Sequence, residues 1–473
     1  MRKTSDGRSY AGGRGTIVPT RFRFVVVGLL FMIATVNYVD RGALSFASEH
    51  IIGAFGFDSA QWGEILGFFG YGYMFGALIG GVLLDRWGAR KVWIVAGVAW
   101  SIFEGGTAIA GELGLTLFGG SALAGFAVMR SIFGFSEGPA FSSINKTIVR
   151  WAAPSERAML SSFALASTPF GAMLAAPITV GLLTATGNWR MTFAILGAGS
   201  LLLIAVFAWV FTDSPEESHR VNAAELQKIR HDGPTVSPTA PLPDSNEEIP
   251  GWLSFFSSRT LVCNAIGYFA FLYVTFLLLT WTPKYLQNQF HYSLSSLSYV
   301  GVIPWLGSCL AVLIGGRLSD LILTKTGDLR IARSQFAAAC LLLAGVCFLL
   351  IPKAGSAAGV LALMTIANAL NTLPNAVYWV VVLDTAPRAR IGTFSGMTHF
   401  IANISSVAAP TLTGYLVKVN GYNAMFFAAG LVSLVGMIAM LAVVPGVFVK
   451  RKPAHVPPDA LRAEIPDNGK RTS

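Results

Sequence analysis

Charge is the scarcest property of this sequence. Asp, Glu, Lys and Arg together make up only 12% of it, against 53% for hydrophobic residues. So apolar a composition excludes an ordinary soluble domain. Cysteine is also sparse: Cys263, Cys309, Cys340 and Cys347 are scattered through apolar segments without metal-ligand spacing. They read as small buried residues, and no metal site is expected. No HExxH and no paired aspartates beside a nucleophile occur in an apolar segment, which leaves a membrane-embedded enzyme unsupported. A P-loop is missing too, so ATP-driven pumping is not expected, and no cofactor is implied. There is no small-residue cleavage site after the polar residues 1–20, so the first helix is expected to act as its own insertion signal. The net charge of +10 gathers in particular loops rather than on one groove-sized face, which argues against nucleic acid.

What is present is a series of apolar runs long enough to span a bilayer at ~20 residues each. The first six fall near 23–45, 62–84, 90–111, 116–148, 159–184 and 190–212. The second six fall near 260–286, 296–324, 331–352, 357–384, 391–418 and 423–448. Between the sets lies a polar stretch with the proline-rich run Pro234–Pro243, too polar to span and too rich in proline for a continuous helix. The fold class expected is an all-α membrane protein, with about twelve transmembrane helices in two pseudo-symmetric halves. Its parts are an N-terminal tail (1–22), a six-helix bundle (23–212), a linker (213–258), a second six-helix bundle (259–449) and a C-terminal tail (450–473). The tails carry no readable motif. Glycine, 50 residues in all, fits close helix packing in lipid.

Basic residues set the topology. Arg2, Lys3, Arg8, Arg14, Arg21 and Arg23 precede the first run. Arg86, Arg90 and Lys91 follow the second, Arg150 and Arg157 the fourth, and Lys325, Arg330 and Arg333 the eighth. Arg388 and Arg390 follow the tenth, and Lys450, Arg451 and Lys452 the last. The opposite connections are poor in basic groups. Both termini and the linker are therefore expected on the cytoplasmic side of the cell's inner membrane. A weak internal repeat relates Gly81-Val-Leu-Leu-Asp85-Arg86 after the second run to Gly316-Arg-Leu-Ser-Asp320 after the eighth. Parallel halves with a site between them at mid-membrane mark one large transporter class.

Two charged pairs interrupt the apolar runs. Arg130 and Glu137 lie seven residues apart, hence on one helix face about two turns apart, with Gly134 between them. Gly134 leaves room for a ligand or a neighbouring helix. The other pair is Asp40-Arg41. A charge in lipid costs at least ~2.5 kcal/mol, so such groups face a bundle interior or a water-filled path.

Gly81-xxx-Asp85-Arg86-x-Gly88-x-Arg90-Lys91, between the second and third runs, resembles the signature loop of the major facilitator superfamily. Within it the chain is similar to the anion:cation symporter branch, which includes bacterial sugar-acid transporters. The matching residues are Asn37-Tyr38-Val-Asp40-Arg41, Arg130-xxx-Gly134-xx-Glu137, and Trp151-xx-Pro154-x-Glu156-Arg157. To these add Leu279-Thr-Trp281-Thr-Pro283-Lys-Tyr285-Leu286 and Asn403-xxxxxx-Pro410. The resemblance implies a conformational role for the loop and protonatable sites at Asp40 and Glu137.

Arginine meets a carboxylate bidentately and does not deprotonate, so Arg41 is the expected carboxylate clamp and Arg130 a second basic group, alternating between substrate and Glu137. Asp40 and Glu137 are the expected proton-coupling acids, because rearranging their arginine partners changes their hold on a proton. Tyr38 and Tyr73 could donate to a polyhydroxy acid, and Trp379, Tyr378, His399 and Asn403 are further candidates; each could equally be a packing residue. Static ion pairs fixing helix packing remain the alternative for the charged groups. Glu104 and Lys146 have no assigned role, although Lys146 could snorkel to the interface. Sugar-acid members often carry Gln at the place of Ala77, Gln at Thr168 and Asn at His399. These losses leave room for a less hydroxylated or aromatic carboxylate. The function expected is import of a small organic carboxylate, such as a hexonate or hexarate, with protons, by a monomer in the lipid bilayer. An exporting or uncoupled carrier and a non-transporting sensor are the alternatives.

Overall fold

The computed structural model describes residues 18–153, 155–231, 251–387, 390–446 and 448, and among them no strand occurs. The expectations placed on Arg2, Lys3, Arg8, Arg14, Pro154, Pro234–Pro243, Arg388 and the tail from Lys450 lie outside the described residues.

Among the described residues, eleven helical stretches are long and apolar enough to cross a membrane. They are Phe22–Phe46 (span 1), Ser59–Trp87 (span 2), Ala89–Leu117 (span 3), Met159–Thr186 (span 5), Trp189–Val210 (span 6) and Arg259–Phe290 (span 7). Leu294–Thr326 (span 8), Arg330–Lys353 (span 9), Ala357–Thr385 (span 10), Ile391–Asn420 (span 11) and Asn423–Leu441 (span 12) follow. The fourth expected run is two shorter helices, Ala122–Glu137 and Ala140–Trp151, parted at Gly138-Pro139. Proline lacks the N–H that would continue the ladder, and its ring crowds the preceding turn. Together the two helices form span 4. They follow span 2 from Ser131, whose hydroxyl donates to the Phe68 carbonyl (3.3 Å), to Lys146, whose ammonium donates to the Leu84 carbonyl (2.6 Å). Several spans start on a side-chain cap. Asp58 accepts from the Gln61 N–H in a reciprocal capping box, and Ser121, Asn188, Ser258 and Ser356 accept from backbone N–H groups in their own first turns.

The two halves repeat one packing scheme. Spans 1 and 5, 2 and 4, and 3 and 6 pair in the first; spans 7 and 11, 8 and 10, and 9 and 12 pair in the second. Between halves, span 2 meets span 11, span 5 meets span 8, and span 1 meets span 7. Glycine makes the tight pairs possible. A Cβ on Gly72, Gly76 or Gly134 would collide with the backbone of the partner helix in the span 2–span 4 seam. Gly134 therefore makes room for a helix and not for a ligand. On another side of span 2, a Cβ on Gly63 would stand 2.6 Å from the Pro410 carbonyl and 2.9 Å from Gly414 Cα of span 11. Asp58 and Lys418 add a 2.9 Å ion pair between the halves at that end of the bundle, the far end.

At the opposite end, the linker end, the stretch 213–258 is not linker throughout. It contains a nine-residue helix, Ala223–His231. Glu225, fully buried there, takes hydrogen bonds from the Thr20 hydroxyl (2.6 Å) and from the Phe22 and Arg23 N–H groups (3.1 Å each), capping span 1 with a carboxylate. The Arg23 guanidinium joins Glu225 (2.9 Å) to Glu156 (2.7 Å), and Lys228 reaches Glu156 as well (3.0 Å). A local reading of composition misses this helix because distant partners hold it.

Two expectations follow. Gly76→Leu overpacks the span 2–span 4 seam and costs about 1–3 kcal/mol or more, read as a lower Tm in detergent. Gly199→Ala, with no atom within 4 Å of the added methyl, leaves Tm unchanged or slightly higher. The second concerns pH. Hydrogen bonding from Arg23, aided by Lys228, holds the Glu156 carboxyl below its usual range against the opposing effect of burial. A depressed folded value contributes stability above the ordinary carboxylate range, lost as pH falls through the folded value. Hydrogen exchange across Ala223–His231 should thus stay protected at neutral pH and rise only in acid. Glu156→Gln should raise it at neutral pH and match the parent in acid; unchanged protection in that variant at neutral pH would remove Glu156 from the network that holds this helix.

Candidate functional site

Five ionisable side chains lie buried together between spans 1, 3 and 4. They are Asp40, Arg41, Glu104, Arg130 and Glu137, none more than 3% exposed. The pairs adjacent in sequence do not form. Arg41 binds Glu137 instead, Nε to Oε2 at 2.6 Å, joining span 1 to span 4. Neighbours on a helix point about 100° apart, so Asp40 cannot face Arg41. Seven residues put Arg130 about 10 Å along the axis from Glu137, beyond ion-pair reach without both side chains bending. Asp40 Oδ2 accepts from the Ser200 hydroxyl (2.8 Å) and the Trp100 indole N–H (3.2 Å), and Oδ1 has no hydrogen-bond partner.

Rings flank both guanidiniums. Arg41 lies 4.7 Å from the Tyr38 ring, 4.8 Å from Phe69 and 4.5 Å from Tyr73. Arg130 lies over Phe133 at 4.9 Å and Phe69 at 5.3 Å. Cation–π attraction of this kind strengthens when the cation is desolvated. Arg41 still has an unpartnered Nη2, and Arg130 has unpartnered Nε and Nη1.

A cavity of about 1030 Å³ opens toward the linker end and is walled by residues of both halves, among them Met74, Phe141, Lys146, Trp379, His399 and Asn403. Of the expected substrate residues, Trp379, His399 and Asn403 line it; Tyr38, Arg41, Tyr73 and Arg130 do not. His399 closes its inner end with a ring cluster: Trp379 at 5.5 Å, Tyr268 at 6.2 Å and Tyr73 at 6.3 Å. Tyr73 touches both His399 and Arg41, so one aromatic layer separates the cavity from the charged cluster. Tyr378 stacks on Tyr268 (5.2 Å), buried and outside the cavity wall.

The signature loop bonds within its own half. Asp85 pairs with Lys146 (3.1 Å), giving that lysine a partner in place of simple snorkelling. Arg90 donates its N–H to Asp213 (2.8 Å) and its guanidinium to the Ala208 carbonyl (2.7 Å). Gly88 sits at φ +81°, a conformation that L side chains rarely adopt. Gly81 and Asp85 line the cavity mouth, while Arg86 and Lys91 are exposed. In the repeat, Asp320 pairs with Arg333 (2.9 Å). Among the described residues, no group of three or more His, Cys, Asp or Glu is placed to hold a metal ion. Sequence reasoning missed Trp100, Ser200 and Phe69, which carry no charge to mark them. Glu104 was visible as a lone acid in an apolar run, but its neighbours were not.

The observed pairing predicts a specific energetic coupling. Glu137→Gln strands Arg41 and should cost about 3–5 kcal/mol. Combining it with Arg41→Gln should cost well under the sum of the singles, a coupling of about 0.5–3 kcal/mol. Arg130→Gln combined with Glu137→Gln should show the smaller coupling. Thermal unfolding of the three single variants and both doubles checks this, and the reverse order of couplings would contradict the pairing.

Comparison with known proteins fits this architecture. The family model of the Major Facilitator Superfamily matches residues 30–410. The chain is 30% identical to the hexuronate transporter of Bacillus subtilis over 90% of its own length and 95% of the relative's. It is 28% identical to the probable galactarate/D-glucarate transporter GudP of the same organism (90% and 92% covered). It is 30% identical to the probable sulfoacetate transporter SauU of Cupriavidus necator (89% and 94% covered). Among solved structures, a bacterial homolog of the human lysosomal transporter Spinster, inward-facing and unoccupied, superposes with TM-score 0.64 at 17% identity, covering 89% of this chain and 95% of that one. Helix count, repeated packing and family match agree: the chain belongs to the Major Facilitator Superfamily, a family of multi-pass membrane transporters, and is not an enzyme.

Proposed function

We propose that the chain is a secondary active transporter that imports a small organic carboxylate together with protons by alternating access. A sugar acid of the hexuronate, hexonate or hexarate type is the substrate class the relatives' names support. The observation that carries the reading is Arg41: a buried arginine flanked by Tyr38, Phe69 and Tyr73, occupied by the chain's own Glu137 and one aromatic layer from a cavity.

The chemistry is an exchange of anions on one cation. A substrate carboxylate that reaches Arg41 displaces Glu137. The displaced carboxylate, buried with less compensation, takes a proton, since an unpaired charge there is costly. For a monocarboxylate, one negative charge enters with one positive charge, so the loaded site carries no added charge across the bilayer. Asp40, held only by neutral donors, is the second proton carrier. Arg130, with donors to spare, is the second basic group. His399, Trp379, Asn403, Tyr38 and Tyr73 complete the binding surface.

Alternating access is supported by the present asymmetry: spans 2 and 11 lock the far end while the cavity opens at the linker end. The basic loops crowd that open end, so the positive-inside rule assigns it, with both termini, to the cytoplasm. The working unit we assign is a monomer in the inner membrane, with the two bundles (23–212 and 259–449) rocking about the site and the signature loop setting the conformational equilibrium. A second reading, a less hydroxylated carboxylate, is favoured by the apolar cavity wall and by the sulfoacetate relative.

The test is uptake into proteoliposomes of labelled hexuronates, hexonates, hexarates, sulfoacetate and aromatic acids, with and without an inward proton gradient. One acid should accumulate with the gradient. Arg41→Lys, which loses bidentate contact, should weaken its uptake tenfold or more. Asp40→Asn and Glu137→Gln should abolish accumulation while leaving counterflow. An acid that equilibrates but never concentrates would remove the proton coupling, and no exchange of any acid would favour a sensor.

A further inference from the structure

Glu104 is the one member of the buried cluster that the reading above does not use. It has no exposed surface, and neither of its carboxyl oxygens has a hydrogen-bond partner among the described residues. Span 3, which carries it, packs on spans 4 and 6. The charged groups acting on it are Asp40 from span 1 and Arg130 and Glu137 from span 4. Trp100, one turn earlier on span 3, and Ser200 of span 6 both spend their donors on Asp40. Arg130 of span 4 has Nε and Nη1 unpartnered among the described residues. An unused acid and an underused base thus share one dry site.

The charge count sharpens this. Three carboxyls and two arginines, all ionised, would leave a net charge of −1 buried between the spans. An unbalanced charge there costs several kcal/mol, so one of the three carboxyls holds a proton. Glu137 is committed to Arg41 and Asp40 accepts two donors, whereas Glu104 accepts none. A carboxyl without donors is the one that stays ionised at greatest cost.

We propose that Glu104 is a third proton-carrying group of this transporter, protonated in the state seen here, and that Arg130 is the partner it takes when it gives its proton up. In that step the O–H bond of Glu104 breaks and one forms on Asp40 Oδ1, the oxygen that has no partner now. The charge of the cluster is conserved and no other reactant is needed. Glu104 is left as a carboxylate against the free donors of Arg130, so the proton load of Asp40 and the availability of Arg130 to an anion become linked. Among the residues of spans 1, 3 and 4, this role makes Glu104 a positioning residue for Arg130 as well as a proton carrier.

The inference rests on the transport reading for its consequence but not for its first test. Infrared spectra of the purified protein at neutral pH should contain the C=O stretch of a protonated carboxylic acid. Glu104→Gln, which keeps shape and removes the acid, should lose that band, and Glu104→Met should lose it too if the amide variant folds poorly. A band unchanged in both variants overturns the proposal, whatever the protein transports. The second arm uses proteoliposomes and whichever of hexuronate, D-glucarate or sulfoacetate the parent accumulates. Glu104→Gln should flatten the pH profile of uptake and lower gradient-driven accumulation at least tenfold, while counterflow persists. A purely packing role would leave profile and accumulation as in the parent, and that result would also overturn the proposal. If the parent itself exchanges none of the acids, the transport reading fails while the infrared result still decides Glu104.

Discussion

The pair of Arg41 and Glu137 is the constraint on which the site depends. Two charges removed from water are tolerable only because they meet at 2.6 Å with aromatic faces around the cation. That contact fixes the rotation of span 1 against span 4. On the proposed reading it also fixes what an incoming anion must do, because the cation it would seek already has an occupant.

Bringing Glu137 within reach of span 1 requires close backbone approach elsewhere. Span 4 is pressed onto span 2 along Gly72, Gly76 and Gly134, and the same span 2 presents Gly63 to span 11 on another side. In lipid no hydrophobic force holds two apolar helices together, so small residues that admit close contact carry the association. Span 2 therefore connects the charged cluster of one half with the far-end closure between halves.

How much of this was legible in the sequence differs by level. The spans were, because twenty-residue apolar runs separated by basic or polar breaks are a one-dimensional signal. The split of span 4 at Gly138-Pro139 and the strap helix Ala223–His231 were not; the first is a local backbone event inside an apolar run, and the second depends on Arg23 and Glu156, far away in sequence. The buried charged residues could be identified one by one, since each breaks an apolar run. Their pairing could not. Periodicity gives the face of a helix but not which face of another helix it meets, and so the spacing of Arg130 and Glu137 suggested a pair where the structure has Glu137 on Arg41. The uncharged donors to Asp40, Trp100 and Ser200, leave no trace in composition at all.

The three places where the sequence departs from the sugar-acid pattern are given physical content by the structure. Ala77 lines the cavity and offers only a methyl group. The Thr168 hydroxyl already donates to the Leu165 carbonyl of its own helix (3.0 Å), so it would donate to a ligand only by leaving that bond. His399 is part of a ring cluster, with Nδ1 unpartnered. Asn403 donates its amide N–H to the His399 carbonyl (2.7 Å) and keeps its oxygen as an acceptor. The inner end of the cavity therefore presents aromatic faces and few free polar groups near Arg41. A substrate hydroxyl brought there without a partner pays its desolvation uncompensated, about 1–3 kcal/mol each. On the proposed reading, the carboxylate end of a substrate is well provided for and the hydroxylated end sparsely, so discrimination among acids would turn on how many hydroxyls must be dehydrated against His399, Trp379 and Asn403.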